Sequence, residues 1–263
     1  MSSRTRVPAL VGVIHLGPLC GSPRYGGALG PAIAAAERDA RALEQAGFEA
    51  AIVENYGDAP FVPGRVEPAT VAAMTAAALA VRAAAPRLLL GVNVLRNDAL
   101  SALGVAAAAG ASFVRINVHV GVRASDQGIL QGQAHETLRA RRRLALDAVA
   151  LLCDVAVKHS APVGEQPLAE QARELAERGL ADAVLVTGPA TGSPVAEADL
   201  DAVLGAVAAP VLVASGVTAE TLSLARRAHG VIVGSSLRRS GRAGDPIDPE
   251  LARRFAEAWR AAR

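Results

Sequence analysis

The stretch "AERDARALEQAGFEAAIVEN" (residues 36–55) decides the fold. Its first half carries an alanine-rich helical pattern that stops at Gly47, a glycine placed where helices commonly end. Its second half, "AAIVEN" (50–55), is a short apolar run of strand type. The same rhythm extends in both directions. Strand-like runs recur at "ALVGVIHL" (9–16), "LLLGVNVL" (88–95), "FVRINV" (113–118), "LLCDVAVK" (151–158), "AVLVTG" (183–188), "PVLVASG" (210–216) and "GVIVGSS" (230–236). Helical patterns lie between them, including "LAEQARELAERG", where Gly179 is the expected C-cap. The last helix opens at "DPIDPELARRFAEAW", with Asp248 as N-cap and Pro249 in the first turn.

Eight β-α units of roughly 33 residues fit a single (β/α)₈ TIM barrel in the α/β class, one domain over residues 1–263. A doubly wound sheet shares the alternation but usually announces a dinucleotide loop. The glycine cluster "YGGALG" (25–30) neither follows a strand directly nor has that fingerprint's spacing, and reads as a loop.

Composition limits the function classes. Hydrophobic residues make up 51% of the chain and charged residues 20%, enough apolar content for a large core. The net charge of +2 gives no reason to expect nucleic acid as a partner. The cluster Arg139, Arg141, Arg142 and Arg143 reads as a solvated helix face. Cys20 and Cys153 make neither a disulfide framework nor a zinc spacing. No membrane span and no secretory leader is evident, so a cytoplasmic, soluble protein is expected.

Lys158 is the only lysine beside 26 arginines. A guanidinium stays protonated, whereas a desolvated lysine amine can lose its proton and act as base or nucleophile. Period-2 alternation points Asp154, Ala156 and Lys158 into the barrel, with Val155 and Val157 toward the helices. The same rule turns His15, Glu54, Asn93, Arg115, Asn117 and His119 inward, and Thr187 and Ser215 continue the ring. All four asparagines of the chain (Asn55, Asn93, Asn97 and Asn117) fall at strand ends or in the loops just beyond, where barrel enzymes place their chemistry.

The segments "GVIHLGPLCGSPRYGG", "AAIVENYGDAPF", "GVNVLRNDA", "RINVHVG", "DQGILQGQAHETLRARR", "DVAVKHSAP", "VTGPATGSP" and "GVIVGSSLRRSG" together resemble the BtpA/SgcQ family, over about residues 10 to 250. The resemblance implies a phosphate-binding (β/α)₈ barrel. One branch of the family is named for photosystem I biogenesis and another lies among sugar-metabolism genes. The chain departs from the expected pattern at Cys20, in place of a second proline, and at His229, where "AHG" replaces "ADG".

Two loops read as a phosphate cradle: "SGVT" (215–218) and "GSSLR" (234–238). Glycine lets backbone N–H groups approach an anion closely, and barrels frequently build this site after the seventh and eighth strands. Ser215, Gly216, Gly234 and Ser235 are the main candidates, with Thr187 and Gly188 along the adjacent wall. Opposite them, Lys158, Glu54, His15 and Asp154 are the candidate catalytic residues, and Asn93, Asn117, His119, Arg115 and Thr187 the candidate substrate-binding ones. Lys158 can serve as Schiff-base nucleophile, general acid or base, fixed cation, or half of a structural ion pair with Glu54 or another loop carboxylate. Asp154 should lie roughly 13 Å deeper along the strand, too far to pair with it. His159 is expected to face outward and His135 to be lid or surface. A metal held by His15, Glu54, Asp154 and His119 stays open, although no compact ligand motif supports it and no cofactor is assigned. The long segment "VGVRASDQGILQGQ" (120–133) is expected to be a mobile flap, with Asp126 and Gln127 facing substrate.

These readings point to an enzyme acting as a lyase, isomerase or hydrolase on a phosphorylated sugar or nucleotide-like small molecule, associating as a homo-oligomer. The alternative is a non-catalytic assembly or stability factor for a membrane complex such as photosystem I.

Overall fold

The computed structural model describes residues 6–262. Eight parallel strands close into a barrel: β1 (Leu10–His15), β2 (Ala50–Glu54), β3 (Leu89–Asn93), β4 (Phe113–Ile116), β7 (Ala150–Asp154), β9 (Ala183–Val186), β10 (Val211–Val213) and β11 (Gly230–Val233). The ring is closed by β1 pairing with β11. The helices that follow these strands are α1 (Gly30–Ala46), α2 (Pro68–Ala84), α3 (Ala99–Ala109), α4 (Ala134–Arg143), α5 (Leu168–Arg173, continued by a π turn to Arg178), α6 (Glu197–Leu204), α7 (Leu222–Ala225) and α8 (Pro249–Ala261). None of the described helices is long and apolar enough to cross a membrane.

The predicted caps hold at both ends of the chain. Gly47 ends α1 at φ 85°, and the Asp248 carboxylate accepts from the N–H groups of Glu250 and Leu251 at the start of α8. Gly179 differs: its φ is −77°, and Leu180 takes the left-handed conformation instead. A Cβ on Gly179 would stand 2.6 Å from the Leu175 carbonyl oxygen, so close packing rather than φ requires glycine there.

Side-chain alternation divides the apolar interior in two. Ile14, Val53, Val92, Val114, Leu151 and Val184 point outward into the layer shared with the helices. Val11, Val13, Ala50, Ile52, Phe113, Leu152, Leu185, Leu212 and Ile232 point inward and fill the barrel. This inner plug is the floor of the site. Position 91 faces the same interior and must be glycine, because the Phe113 ring occupies the space beside it, with Cε2 at 2.1 Å from where a Cβ would stand.

Two segments depart from expectation. Residues 120–133 form a hairpin, β5 (Val122–Ser125) and β6 (Gly128–Gln131), and β5 also pairs with β8 (Ser160–Pro162). The expected flap is therefore bonded into a three-stranded antiparallel sheet. The fifth barrel strand stops at Asp154 rather than running to Lys158. Val155 reaches the helix-facing core as expected, but Val157 packs with Val118 and Leu130 under the hairpin. The arginine cluster of α4 carries ion pairs, Arg141 to Asp182 at 2.7 Å and Arg142 to Asp147 at 2.6 Å.

Gly91→Ala is expected to lower stability by about 1–3 kcal/mol, because the added methyl overpacks the barrel. Urea unfolding should show a lower midpoint at unchanged slope, partly restored by Phe113→Leu.

Candidate active site at the carboxyl ends of the strands

Strand register sets the upper layer of the barrel. His15 lies beside Glu54 and Glu54 beside Asn93, all at strand ends directly above the apolar plug. Arg115 is level with Leu152, two residues below Asp154, so its long side chain climbs to meet the carboxylates. Its Nε and Nη2 donate to the two oxygens of Asp154 at 3.1 and 3.0 Å, and Nη1 donates to Glu54 Oε1 at 3.3 Å. Asn117 Nδ2 donates to Asp154 Oδ2 at 2.7 Å, and Asn93 Nδ2 to Glu54 Oε1 at 3.1 Å. Arg115, Asp154 and Glu54 are 3, 3 and 6% exposed, so the cation and both anions are desolvated together. Burial disfavours the Arg115 charge, but Asp154 and Glu54 outweigh it and hold the guanidinium more firmly protonated than usual.

His15 sits against Tyr56, with ring centroids 4.5 Å apart. The Gly244 N–H donates to Nδ1 at 3.2 Å, so the proton of the neutral ring belongs on Nε2, which lies 4.0 Å from Glu54 Oε2. Burial first, then the charges of Arg238, Lys158 and Arg115, push the His15 pKa well below the ordinary histidine value. His15 is a neutral N–H donor at the barrel mouth.

Lys158 lies in the loop beyond its strand yet still lines the site. Among the described residues its amine has no hydrogen-bond acceptor and no carboxylate within 4.0 Å. Glu54, its expected partner, is committed to Arg115. Burial first, then the positive charge of Arg115, push the Lys158 pKa down to about 8, while Glu54 and Asp154 pull the other way and Arg96 adds to the fall.

Two connected hollows meet at this amine. A chamber of about 630 Å³ is lined by His15, Glu54, Asn93, Arg115, Asn117 and Lys158, and further out by Arg24, Tyr56, Phe61, Arg96, Asp126, Gln127, His159, Thr191 and Arg242. A recess of about 40 Å³ shares His15, Glu54, Arg115, Lys158 and Thr191, and adds Gly192, Ser215, Gly216, Gly234 and Ser235. The two predicted loops thus meet at one point. Gly216 has φ +61°, and a Cβ there would also strike Pro194 at 2.4 Å. Ser215 Oγ donates to the carbonyls of Ser193 and Ala190, tying the neighbouring loop to the recess.

Several expected placements need correction. His119 is buried away from both hollows; its Nε2 pairs with the Gly179 carbonyl at 2.8 Å, because β4 ends at Ile116 and the chain turns before reaching it. Thr187 lines neither hollow, since its hydroxyl donates to the Ala156 carbonyl at 2.8 Å. Gly188 packs on the 193–194 backbone, and Thr191 and Gly192 of the same motif form the wall instead. His159 has φ 57° and turns into the mouth, where its Nε2 meets the Thr191 hydroxyl at 3.0 Å. His135 lies exposed on α4. Among the described residues no three His, Cys, Asp or Glu side chains converge to hold a metal, since Arg115 takes Asp154 and Glu54 and His119 lies elsewhere. Asn55 and Asn97 clamp loop backbone, bonding to Leu95 and to Val118.

Sequence reasoning missed Arg24, Tyr56, Phe61, Arg96 and Arg242 as lining residues. For Arg24, Tyr56, Phe61 and Arg96 the only signal was membership of the motifs "SPRY", "ENYGDAPF" and "NVLRND"; Arg242 lies just past "SSLRRSG" and had none.

The geometry has clear relatives. Residues 6–261 match the BtpA family. The chain belongs to the BtpA family. A relative in Synechocystis, named Photosystem I biogenesis protein BtpA, is 47% identical over 95% of this chain and 87% of its own length. An uncharacterized Thermococcus kodakarensis protein is 43% identical over 94% of each chain. Among solved structures, phosphoribosyl anthranilate isomerase from Thermus thermophilus superposes with a TM-score of 0.57 at 17% identity, covering 97% of this chain and 100% of its own. At that identity the likeness establishes the barrel fold that this BtpA-family chain shares, and nothing about its chemistry.

Two outcomes test the site. Arg115→Met leaves Asp154 buried without its cation and should cost about 3–5 kcal/mol; replacing Asp154 by Leu in the same protein should recover part of it. For Lys158, the folded pKa is about 8 and the ordinary value 10.5. Between these values the unfolded chain binds the extra proton, so Lys158 makes stability rise with pH across that window and contributes no slope below it. Lys158→Met should remove this segment of the stability–pH curve, measured by urea unfolding against the parent protein.

Proposed function

We propose that this protein is an enzyme acting on a phosphorylated small molecule. The phosphate occupies the recess between the loops after β10 and β11, and the reacting atoms lie over Lys158, Glu54 and His15. One observation carries the reading: the amine of the single lysine has no hydrogen-bond or ion-pair partner among the described residues and lies in the wall common to recess and chamber. A half-buried cation facing a hollow without a counter-ion gains nothing from the protein to offset its partial desolvation. Evolution has little reason to keep that cost in a scaffold, and good reason to keep it where a ligand completes the pair.

The roles follow from the geometry. Backbone at Gly192, Gly216 and Gly234, with Ser215 and Ser235 beside it, supports close approach of phosphate oxygens. With a pKa of about 8, about a tenth of the Lys158 amines are neutral at pH 7, several hundred times the fraction of an ordinary lysine. That amine can attack a carbonyl carbon or accept a proton. His15 Nε2–H is placed to donate to an oxygen on the substrate, and Glu54 Oε2 to accept a proton. Asp154 faces Arg115 and Asn117 rather than the chamber, which supports a positioning role in place of the catalytic one expected from sequence. Lyase, isomerase and glycosidic hydrolase chemistry all draw on these groups.

The name of the 47% identical Synechocystis relative supports a second reading, a non-catalytic factor in assembly of a membrane complex. Thermal shift against a panel of sugar phosphates and nucleotides separates the two. A ligand at 100 times its Kd should stabilise the enzyme by about 2.7 kcal/mol. Turnover of that ligand should fall about 10²–10⁴-fold in both Lys158→Arg and Lys158→Met. Borohydride in the presence of substrate should leave a mass adduct on Lys158 if the amine forms a Schiff base. A protein that ignores the entire panel is not this enzyme, and the assembly reading then stands.

A further inference from the structure

The recess accounts for one anionic group, yet a second buried cation waits outside it. Arg96 is 5% exposed, lines the chamber and does not line the recess. Its Nη2 donates to the Lys158 carbonyl at 2.5 Å, while its Nε is buried with no acceptor. Among the described residues no carboxylate lies within 4.0 Å of it. Across the same chamber, Asn117 is 2% exposed; its Nδ2 is spent on Asp154 and its Oδ1 is buried without a donor. Native proteins leave few buried polar atoms unmatched, and each one calls for an explanation.

We infer that Arg96 binds a carboxylate of the substrate and that Asn117 Oδ1 accepts from a hydroxyl beside it, so the ligand is a phosphorylated hydroxy acid or sugar acid. The inference rests on the phosphate reading above and extends it to the other end of the molecule. The partners differ in kind at the two ends. The recess has three glycines, Gly192, Gly216 and Gly234, where backbone can wrap a tetrahedral phosphate. No glycine lines the chamber; there the anion must be met by a planar guanidinium, whose fork matches the two oxygens of a carboxylate. Lys158 lies between, in the wall of both hollows, and so faces the carbon skeleton that joins the two anionic ends.

Calorimetric titration with matched pairs tests this: 6-phospho-D-gluconate against D-glucose 6-phosphate, and 3-phospho-D-glycerate against glycerol 3-phosphate. The carboxylate member of at least one pair should bind tenfold or more tightly, the scale of a charge-assisted hydrogen bond. Arg96→Met should abolish that preference while keeping the affinity for the member without the carboxylate and at least the parent melting temperature. Arg96→Lys should retain part of the preference. Equal affinity within both pairs in the parent protein overturns the inference and leaves the phosphate reading intact. So does an Arg96→Met protein that melts lower and loses both members alike, which would make Arg96 a prop for the Lys158 loop. If no phosphorylated compound binds at all, the phosphate reading falls, and this inference falls with it.

Discussion

Arg115 sits between Asp154 and Glu54 with almost no access to water, and the barrel mouth is arranged around that fact. A guanidinium buried alone would be prohibitive, and two buried carboxylates would repel each other and take up protons. Together, with amides of Asn93 and Asn117 donating to Glu54 Oε1 and Asp154 Oδ2, they form a hydrogen-bonded cluster directly above the apolar plug, in which one cation offsets part of the charge of two carboxylates. Such a cluster is a poor source of stability compared with packed hydrocarbon. What it supplies is a rigid, polar platform whose members cannot turn away without stranding a charge.

The platform also determines what is left over. Arg115 draws both carboxylates to itself; among the described residues neither lies within 4.0 Å of the Lys158 amine or of Arg96, and burial followed by the Arg115 charge eases proton loss from the amine against the pull of Glu54 and Asp154. Burial, with the charges of Arg238, Lys158 and Arg115 added, keeps His15 neutral. Burial and the cations around the mouth together leave three conditions useful for chemistry: a lysine that gives up its proton more readily, a histidine that donates without carrying charge, and a carboxylate oxygen facing that histidine. Arg238 plays a matching part on the phosphate side. Buried, and bonded to the carbonyls of Gly234, Val13 and Asp245, it fixes the loop after β11 against β1.

The parts of the site legible in sequence were those governed by local period. His15, Glu54, Asn93, Arg115 and Asn117 were placed correctly because they belong to strands, or continue one by a single residue, where a period of two leaves no choice of face. The failures share a physical origin. His119, Val157 and His159 lie well past the last ladder pair, where alternation no longer constrains direction and long-range contacts decide, and Thr187, one residue past its strand, is drawn off by the Ala156 carbonyl. His159 enters the mouth through a left-handed backbone conformation that no neighbouring residue announces. The hairpin at 122–131 escaped notice because its stability comes from pairing with residues 160–162 some 30 positions away.

From the chain alone follow the class of fold, the number of β-α units and the list of residues that crown the barrel, since these depend on patterns of three to twenty neighbouring residues. Tertiary structure alone decided which of those residues pair, which remain unmatched, and which loops share a wall. Pairing of buried charges depends on distances of 3–4 Å between strands far apart in sequence, and no local pattern encodes them. The lone lysine is legible in the sequence; that no described carboxylate reaches it, with Arg115 holding Glu54 and Asp154, is not.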